Sequence, residues 1–469
     1  MPSSNASRET SLRERAHRLF MSLFNYTHRL WAFLPHNGRR GRMDAGPCQK
    51  RRGLASSTMG EPLRCRGMYD LLPADMERFR WAEEVFRRTC LAWGYREVRT
   101  PTVEHLFLFT ATGTLTPQAL GRVYSFLDWD GWSGERVVLR PEGTIPTARL
   151  YVEHLSGQPL AKLFYVQNVF RFAEGEARRE EWQAGVELIG DTQPLGDVEL
   201  VLVAREVLLS LGLANVTLRV SHPGLVQALL AKLDLPAEER LRLYDGILEG
   251  DAEALARVRE RIPELGAPPE LLLTEEGQGL AYLRNLRSVF LPALPNLGAP
   301  LDELETVVSA LEGLGLTPTV SGALVRHFEY YTGPVFRFQV GDRLVGAGGR
   351  YDSLIGLLGG RDVPASGFAL YMGELLDLLT PPQRGDGQVV WVEAPGRSPQ
   401  EIAEAFRAVR LLREWGRQAQ VVLSPDQAGA PRLRLAEGRY AVVLADGREL
   451  GAADLERALA LLTQGESRA

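Results

Sequence analysis

The chain reads as an α+β fold: an antiparallel sheet flanked by helices, with a helical insert and a small C-terminal α/β domain. Three observations carry that reading. Residues 330–338 alternate apolar and polar side chains as a half-buried strand does, and Gly341-Asp342 turns the chain back into Leu344-Val345. Residues 163–173 and 182–189 form a second strand pair, joined by a charged turn over 174–181. After Pro381 strand and helix alternate, which favours a partly parallel sheet.

The bulk properties fit that class. A chain of 469 residues is long enough for several domains and a well-buried core. Its 45% hydrophobic and 24% charged content is that of an ordinary globular protein, and a net charge of -5 argues against a generally basic nucleic-acid binder. The three cysteines, Cys48, Cys65 and Cys90, have neither metal-ligand spacing nor disulfide density, so a reducing compartment and no metal are expected. No apolar run approaches the roughly 20 residues that span a bilayer. A soluble, cytoplasmic protein is expected.

Residues 1–58 carry eleven Lys/Arg against three acidic residues, and are expected to be a disordered extension or over-read upstream sequence before Met59. The core is placed at 59–380. Within it, 73–93 is a helix with Phe79, Ala82, Val85 and Phe86 on one face, stopped by Gly94. Residues 95–103 read as a strand interrupted by Pro101, which suits an edge or an interface. A short strand at 136–139 leads into Arg140-Pro141-Glu142-Gly143-Thr144 and a helix over 146–155. A helix over 195–211 and a strand over 216–220 follow. Residues 223–315 are Leu/Ala/Glu/Arg-rich with helical periodicity and form the insert. The sheet resumes near Thr317, and a helix over 369–379 closes the core. Residues 381–387 are a linker by composition, and 388–469 the small α/β domain.

Residues 324–352 concentrate the chemistry. Aromatic rings, Arg326 and a glycine-rich turn (Gly346, Gly348, Gly349) suit a small, polar, planar ligand; a hairpin with an aromatic core face has the same pattern. No phosphate-cradling Walker sequence is present.

Several dispersed segments together resemble the histidyl-tRNA synthetase family of class II aminoacyl-tRNA synthetases. Arg140-Pro141-Glu142-Gly143-Thr144 is similar to the family's RPEGT, and Val169-Phe170-Arg171-Phe172 with Gln183-Ala184-Gly185-Val186-Glu187 is similar to motif 2. Leu324-Val325-Arg326 with Tyr330-Tyr331-Thr332-Gly333 resembles LVRGLDYYTG, Gly348-Gly349-Arg350-Tyr351-Asp352 resembles GGRYD, and Gly367-Phe368-Ala369-Leu370 begins motif 3. Order and spacing match over roughly 64–380. The resemblance implies a class II synthetase-like antiparallel sheet, and a dimer contacting near Pro101. It also implies that 388–469 is a shortened anticodon-binding domain.

Departures set the functional expectation. Ala173 stands where the synthetase has a glutamate for the adenine amino group, Glu181 replaces an aromatic, and Glu374 stands where motif 3 has an arginine for the ATP phosphates. Losing one preorganised charged donor costs a reaction about 3–4 kcal/mol, and reversing its sign beside phosphates costs more. Arg171 and Arg326 are retained. This pattern resembles the histidyl-tRNA synthetase-like regulatory subunits of ATP phosphoribosyltransferase, whose Thr144-to-Arg149 run is also the closer match. That resemblance implies a non-catalytic protein with no catalytic residue and no cofactor. It implies binding of L-histidine and partnership with a short-form catalytic subunit in a hetero-octamer, for feedback in the first step of histidine biosynthesis. The alternative is a divergent histidine–tRNA ligase.

The pocket chemistry follows from the residue types. An amino acid's ammonium suits Glu142, Thr144, Gln183 and Glu187, and its carboxylate suits Arg326 or, as an anion site, Arg171. An imidazole suits Tyr330 and Tyr331.

Overall fold

The computed structural model describes residues 63–464 apart from 113–120, 130–133, 174–176, 191–192, 234, 263–264, 266, 325–329, 381–388, 395, 397, 425–430, 437–438 and 445. The 1–58 extension, the 381–387 linker and Arg326 lie outside the described residues. The chain divides into two units, Met1–Thr380 and Pro381–Ala469.

The first unit opens with helix α1 (Pro73–Ala92), where Pro73 takes the first turn and the Asp75 carboxylate accepts the Leu72 N–H at 3.1 Å. Its buried face is Phe79, Ala82, Val85, Phe86, Thr89 and Cys90, and Gly94 at φ 80° ends it. There follow β1 (Arg96–Glu97), β2 (Val103–His105), α2 (Leu106–Ala111), β3 (Ser125–Trp129), β4 (Gly134–Leu139) and α3 (Thr144–Leu150). Next come β5 (Ala161–Phe170), β6 (Glu180–Ile189), α4 (Leu195–Ser210) and β7 (Val216–Ser221). The insert is α5 (Pro223–Ala231), α6 (Ala237–Glu249), α7 (Ala252–Arg261), α8 (Pro269–Leu273), β8 (Glu276–Gln278), α9 (Gly279–Phe290) and α10 (Gly298–Gly313). The unit closes with β9 (Thr319–Ser321), β10 (Val335–Val340), β11 (Arg343–Arg350), α11 (Leu354–Leu357), β12 (Ala365–Tyr371) and α12 (Met372–Leu378).

Nine strands form one sheet in the order β1-β5-β6-β12-β11-β10-β7-β9-β8, and its five central pairings from β5 to β7 are antiparallel. Side chains alternate across this sheet. Phe164, Val166, Val186, Leu188, Phe336, Phe338, Phe368 and Leu370 enter a core shared with α1, α4 and the insert helices. The other face is lined by Tyr165, Gln183, Glu187, Gly367 and Ala369, and it carries the site. β2, β4 and β3 make a separate three-stranded sheet.

Four boundaries differ from the sequence reading. The strand expected over 95–103 splits into β1 and β2 in different sheets, with Pro101 in the break. The helix expected over 146–155 starts at Thr144, and a π-turn over Tyr151–Leu155 follows it. The helix expected from Ala369 starts at Met372; small residues let Gly367 to Tyr371 run as a central strand paired with β6 and, up to Leu370, with β11. Gly346, Gly348 and Gly349 belong to strand β11, not to a turn.

The second unit contains β13 (Val390–Glu393), α13 (Pro399–Glu414), β14 (Ala419–Val421), β15 (Arg432–Ala436), β16 (Arg439–Val443), β17 (Glu449–Ala452) and α14 (Leu455–Gln464). β13 runs parallel to both β14 and β15, and the remaining pairs are antiparallel. Val390, Val392, Leu433, Leu435 and Val442 pack against both helices.

Candidate amino-acid-binding site

Strand registers build the floor of the site. One cross-sheet row is Arg337, Ala347, Ala369, Gly185 and Tyr165; the next is Val335, Gly349, Gly367, Glu187 and Leu163. The centre of both rows is glycine and alanine, so bare backbone forms a flat platform between a cationic edge and a tyrosine–carboxylate edge. Above it lies an open-mouthed cavity of about 60 Å³. The glycines are required by close approach: a Cβ on Gly349 would come within 2.9 Å of the Tyr331 ring, and one on Gly367 would overlap the Glu187 carboxylate and sit 2.6 Å from the Val186 carbonyl oxygen.

The loop from β4 to α3 supplies the carboxylate edge. Arg140, 3% exposed, fixes it with bonds from Nε to Asn168 O (2.7 Å) and from Nη1 to Thr100 O (2.8 Å) and Pro101 O (2.9 Å). Glu142 then caps α3, accepting the Thr144 N–H at 2.7 Å on Oε2 and the Ile145 N–H at 2.7 Å on Oε1. Thr144 Oγ1 donates to Glu187 Oε1 at 2.8 Å, Tyr165 donates to the same oxygen at 3.3 Å, and Tyr351 donates to Glu187 Oε2. With its proton committed to Glu187, the Thr144 hydroxyl turns only lone pairs elsewhere.

Burial raises both acids. Glu142 is pushed up to about 7, against the pull of its two backbone N–H donors and of Arg171; Glu187 is pushed up to about 8 by burial, with the nearby Glu142 charge adding to the rise. Tyr165, Tyr330 and Tyr351 are buried phenols held well above their usual value, and so remain hydrogen-bond donors. Tyr330 packs on Tyr331 at 5.0 Å and edge-on to Tyr351 at 5.5 Å, giving the cavity an aromatic wall.

The structure brings Glu142, Thr144, Gln183, Arg171, Tyr330 and Tyr331 together on the cavity lining. Glu187 lies one layer deeper, 1% exposed, behind Thr144, Tyr351 and Gly367. It is joined to the cavity lining through Thr144 and Tyr351. Arg326 lies outside the described residues. Arg171 is held by a bond from Nε to Pro141 O at 2.8 Å.

Sequence reasoning missed Arg337, Tyr351 and Tyr371, which also line the cavity. Arg337 was legible: in a period-two strand it stands opposite in face to Phe336 and Phe338, so their burial sends it to the ligand side. Glu374 is not part of the cavity lining; it sits in the first turn of α12, 3.6 Å from Arg343. Asp377 one turn on pairs with Arg343 at 3.0 Å and Arg178 at 3.5 Å. The cations nearest α12 are thus offset by carboxylates, and Ala173 offers only a carbonyl, which accepts from Arg179 Nε at 2.7 Å. Arg337 stands at one edge of the platform and the acids at the other, with Arg171 beside the Glu142 loop, an arrangement of charges that suits a zwitterion.

An antiparallel sheet with this loop, aromatic wall and glycine platform is the class II aminoacyl-tRNA synthetase-like fold. A family model described as histidyl-tRNA synthetase matches residues 67–375. An ATP phosphoribosyltransferase regulatory subunit from Dehalococcoides mccartyi is 45% identical over 361 residues, 76% of this chain and 87% of the relative. A histidine–tRNA ligase from Methanosarcina acetivorans is 33% identical over 68% of this chain and 76% of the relative. A crystal structure of an ATP phosphoribosyltransferase regulatory subunit/histidyl-tRNA synthetase from Bacillus halodurans superposes with a TM-score of 0.66 at 25% identity, covering 81% of this chain and 98% of that one. The chain belongs to the histidyl-tRNA synthetase family, in the branch of the ATP phosphoribosyltransferase regulatory subunits.

Proposed function

We propose that this protein is a non-catalytic regulatory subunit that binds L-histidine in the polarised cavity. It activates a short-form ATP phosphoribosyltransferase catalytic subunit in a cytoplasmic hetero-octamer and contributes to feedback inhibition by histidine. The observation that carries the proposal is a cavity that keeps amino-acid-binding chemistry while Ala173 and the paired Glu374 replace groups that would hold ATP. The ammonium meets Glu142, Thr144 and Gln183, the carboxylate meets Arg337 together with Arg171 or Arg326, and the imidazole lies on the platform beside Tyr330 and Tyr331. Self-association is through the region of Pro101. Among the described residues no helix is long and apolar enough to cross a membrane, in keeping with a cytoplasmic role.

A histidine-dependent pyrophosphate-exchange assay is the test. No exchange is expected, together with histidine binding by calorimetry and rescue of a short phosphoribosyltransferase by the added chain. Robust exchange would establish the rival reading, a histidine–tRNA ligase, which the retained Arg171 and the C-terminal domain favour. Histidine binding without rescue would leave a histidine-binding relative with some other partner.

A further inference from the structure

A second charged cluster lies behind the aromatic wall, outside the cavity. Arg350, at the end of β11, is 4% exposed and its guanidinium is shared between carboxylates from two helices. It pairs with Asp197 of α4, and its Nη1 donates to Glu303 Oε2 of α10 at 2.5 Å. Ser366 Oγ in β12 donates to Asp197 Oδ1 at 3.0 Å, which fixes that acid from the sheet. Glu303 also faces His222, whose Nε2 is 3.5 Å away. His222 Nδ1 accepts the Gly224 N–H at 2.9 Å, so the neutral ring carries its proton on Nε2, towards Glu303.

The same arginine holds the ligand wall. Its stem covers Gly333, where a Cβ would lie 2.8 Å from Arg350 Cδ. The Thr332 N–H donates to Arg350 O at 2.8 Å, and the Arg350 N–H donates to Pro334 O at 3.0 Å. Tyr330 and Tyr331 directly precede this pinned segment, and Tyr351 directly follows Arg350. A ligand that reseats these tyrosines therefore moves Arg350.

The two acids are not equivalent. Asp197 is 2% exposed and neutralises the buried guanidinium, so breaking that pair would strand a charge. The Glu303 side chain is 40% exposed and can return to water at little cost. Of the two, only the Glu303 contact is easily made and broken, and it joins the insert to the sheet. We infer that Glu303 is a positioning residue through which the helical insert responds to the pocket: α10 tightens against Arg350 when an amino acid occupies the tyrosine wall. This rests on the histidine reading above. Linkage makes the effect mutual, so loosening Glu303 also weakens the ligand.

The experiment is hydrogen exchange by mass spectrometry on the full chain with and without L-histidine, paired with calorimetric titration, for wild type, Glu303→Gln and the exposed insert control Glu253→Gln. Expected in wild type and in the control is slower exchange in both β11 and α10 on histidine addition. Expected in Glu303→Gln is protection confined to β11, with affinity lower by about fivefold or more. Glu303→Asp, too short to span the contact, should match Glu303→Gln and serves if that variant misfolds. Protection of β11 without α10 in wild type, or α10 protection that survives in Glu303→Gln, overturns the inference and leaves histidine binding intact. Absence of binding and of protection everywhere overturns the histidine reading, and the inference with it.

Discussion

Replacing Glu187 by glutamine removes one ionisable proton from the platform while keeping its hydrogen-bond geometry. The amide oxygen can still accept from Thr144 and Tyr165, and its NH2 can donate to the Tyr351 hydroxyl. Glu187 is lifted from 4.5 to about 8 by burial. Its folded-state value lies above its unfolded one, so its contribution to stability is greatest below pH 4.5 and is lost as pH rises through 8. Between pH 5.5 and 8 the loss is on the order of 3 kcal/mol, taking 1.36 kcal/mol for each pH unit. Urea unfolding of wild type and Glu187→Gln across pH 5.5 to 8.5, followed by tryptophan fluorescence, reads it directly. Wild type should fall towards or below the variant as pH rises, by about 1 M in midpoint for an m-value near 3 kcal/mol/M. Parallel curves would show that Glu187 is already ionised at pH 5.5, and the account of a protonated acid beneath the cavity would be wrong.

Glu142, raised to about 7, should make histidine binding tighten as pH climbs from 6 to 8, because its ionised form meets the ammonium; calorimetry should show that excess slope vanish in Glu142→Gln. Arg337→Ala should weaken histidine by about tenfold, or 1.4 kcal/mol, yet leave histamine, which lacks the carboxylate, unchanged in competition titrations. Gly367→Ala pushes a methyl onto the Glu187 carboxylate and the Val186 carbonyl, so unfolding experiments should show a loss of about 1–3 kcal/mol, with histidine binding abolished.

What the sequence disclosed depended on how local each determinant is. Helix α1 was readable because its proline start, apolar face and Gly94 stop all lie within its own residues. The RPEGT loop and the Tyr330-Tyr331 wall were readable because short, distinctive words specify them. The last three residues of strand β12, Ala369 to Tyr371, were misread as the start of a helix because the stretch is short and free of local strand signals; only the neighbouring strands β6 and β11 fix its state. β15 was passed over although Arg432 to Ala436 alternates charged and apolar residues, because Pro425, Gly429 and Pro431 just before it read as an irregular connection. The position of Glu374 could not be read from a motif at all. A motif gives the residue at a site, but its direction depends on Arg343 and Asp377, which approach from another strand and the next helical turn.

The bare platform under the cavity has a thermodynamic corollary. Side chains that close on a ligand surrender rotamer freedom, whereas Ala347, Ala369, Gly185, Gly349 and Gly367 have none to surrender, and the ladder already locks their backbone. A flat ring set down there meets a surface whose ordering was completed when the chain folded. Much of the protein's entropic penalty for capture is thereby moved from the moment of encounter to the moment of folding.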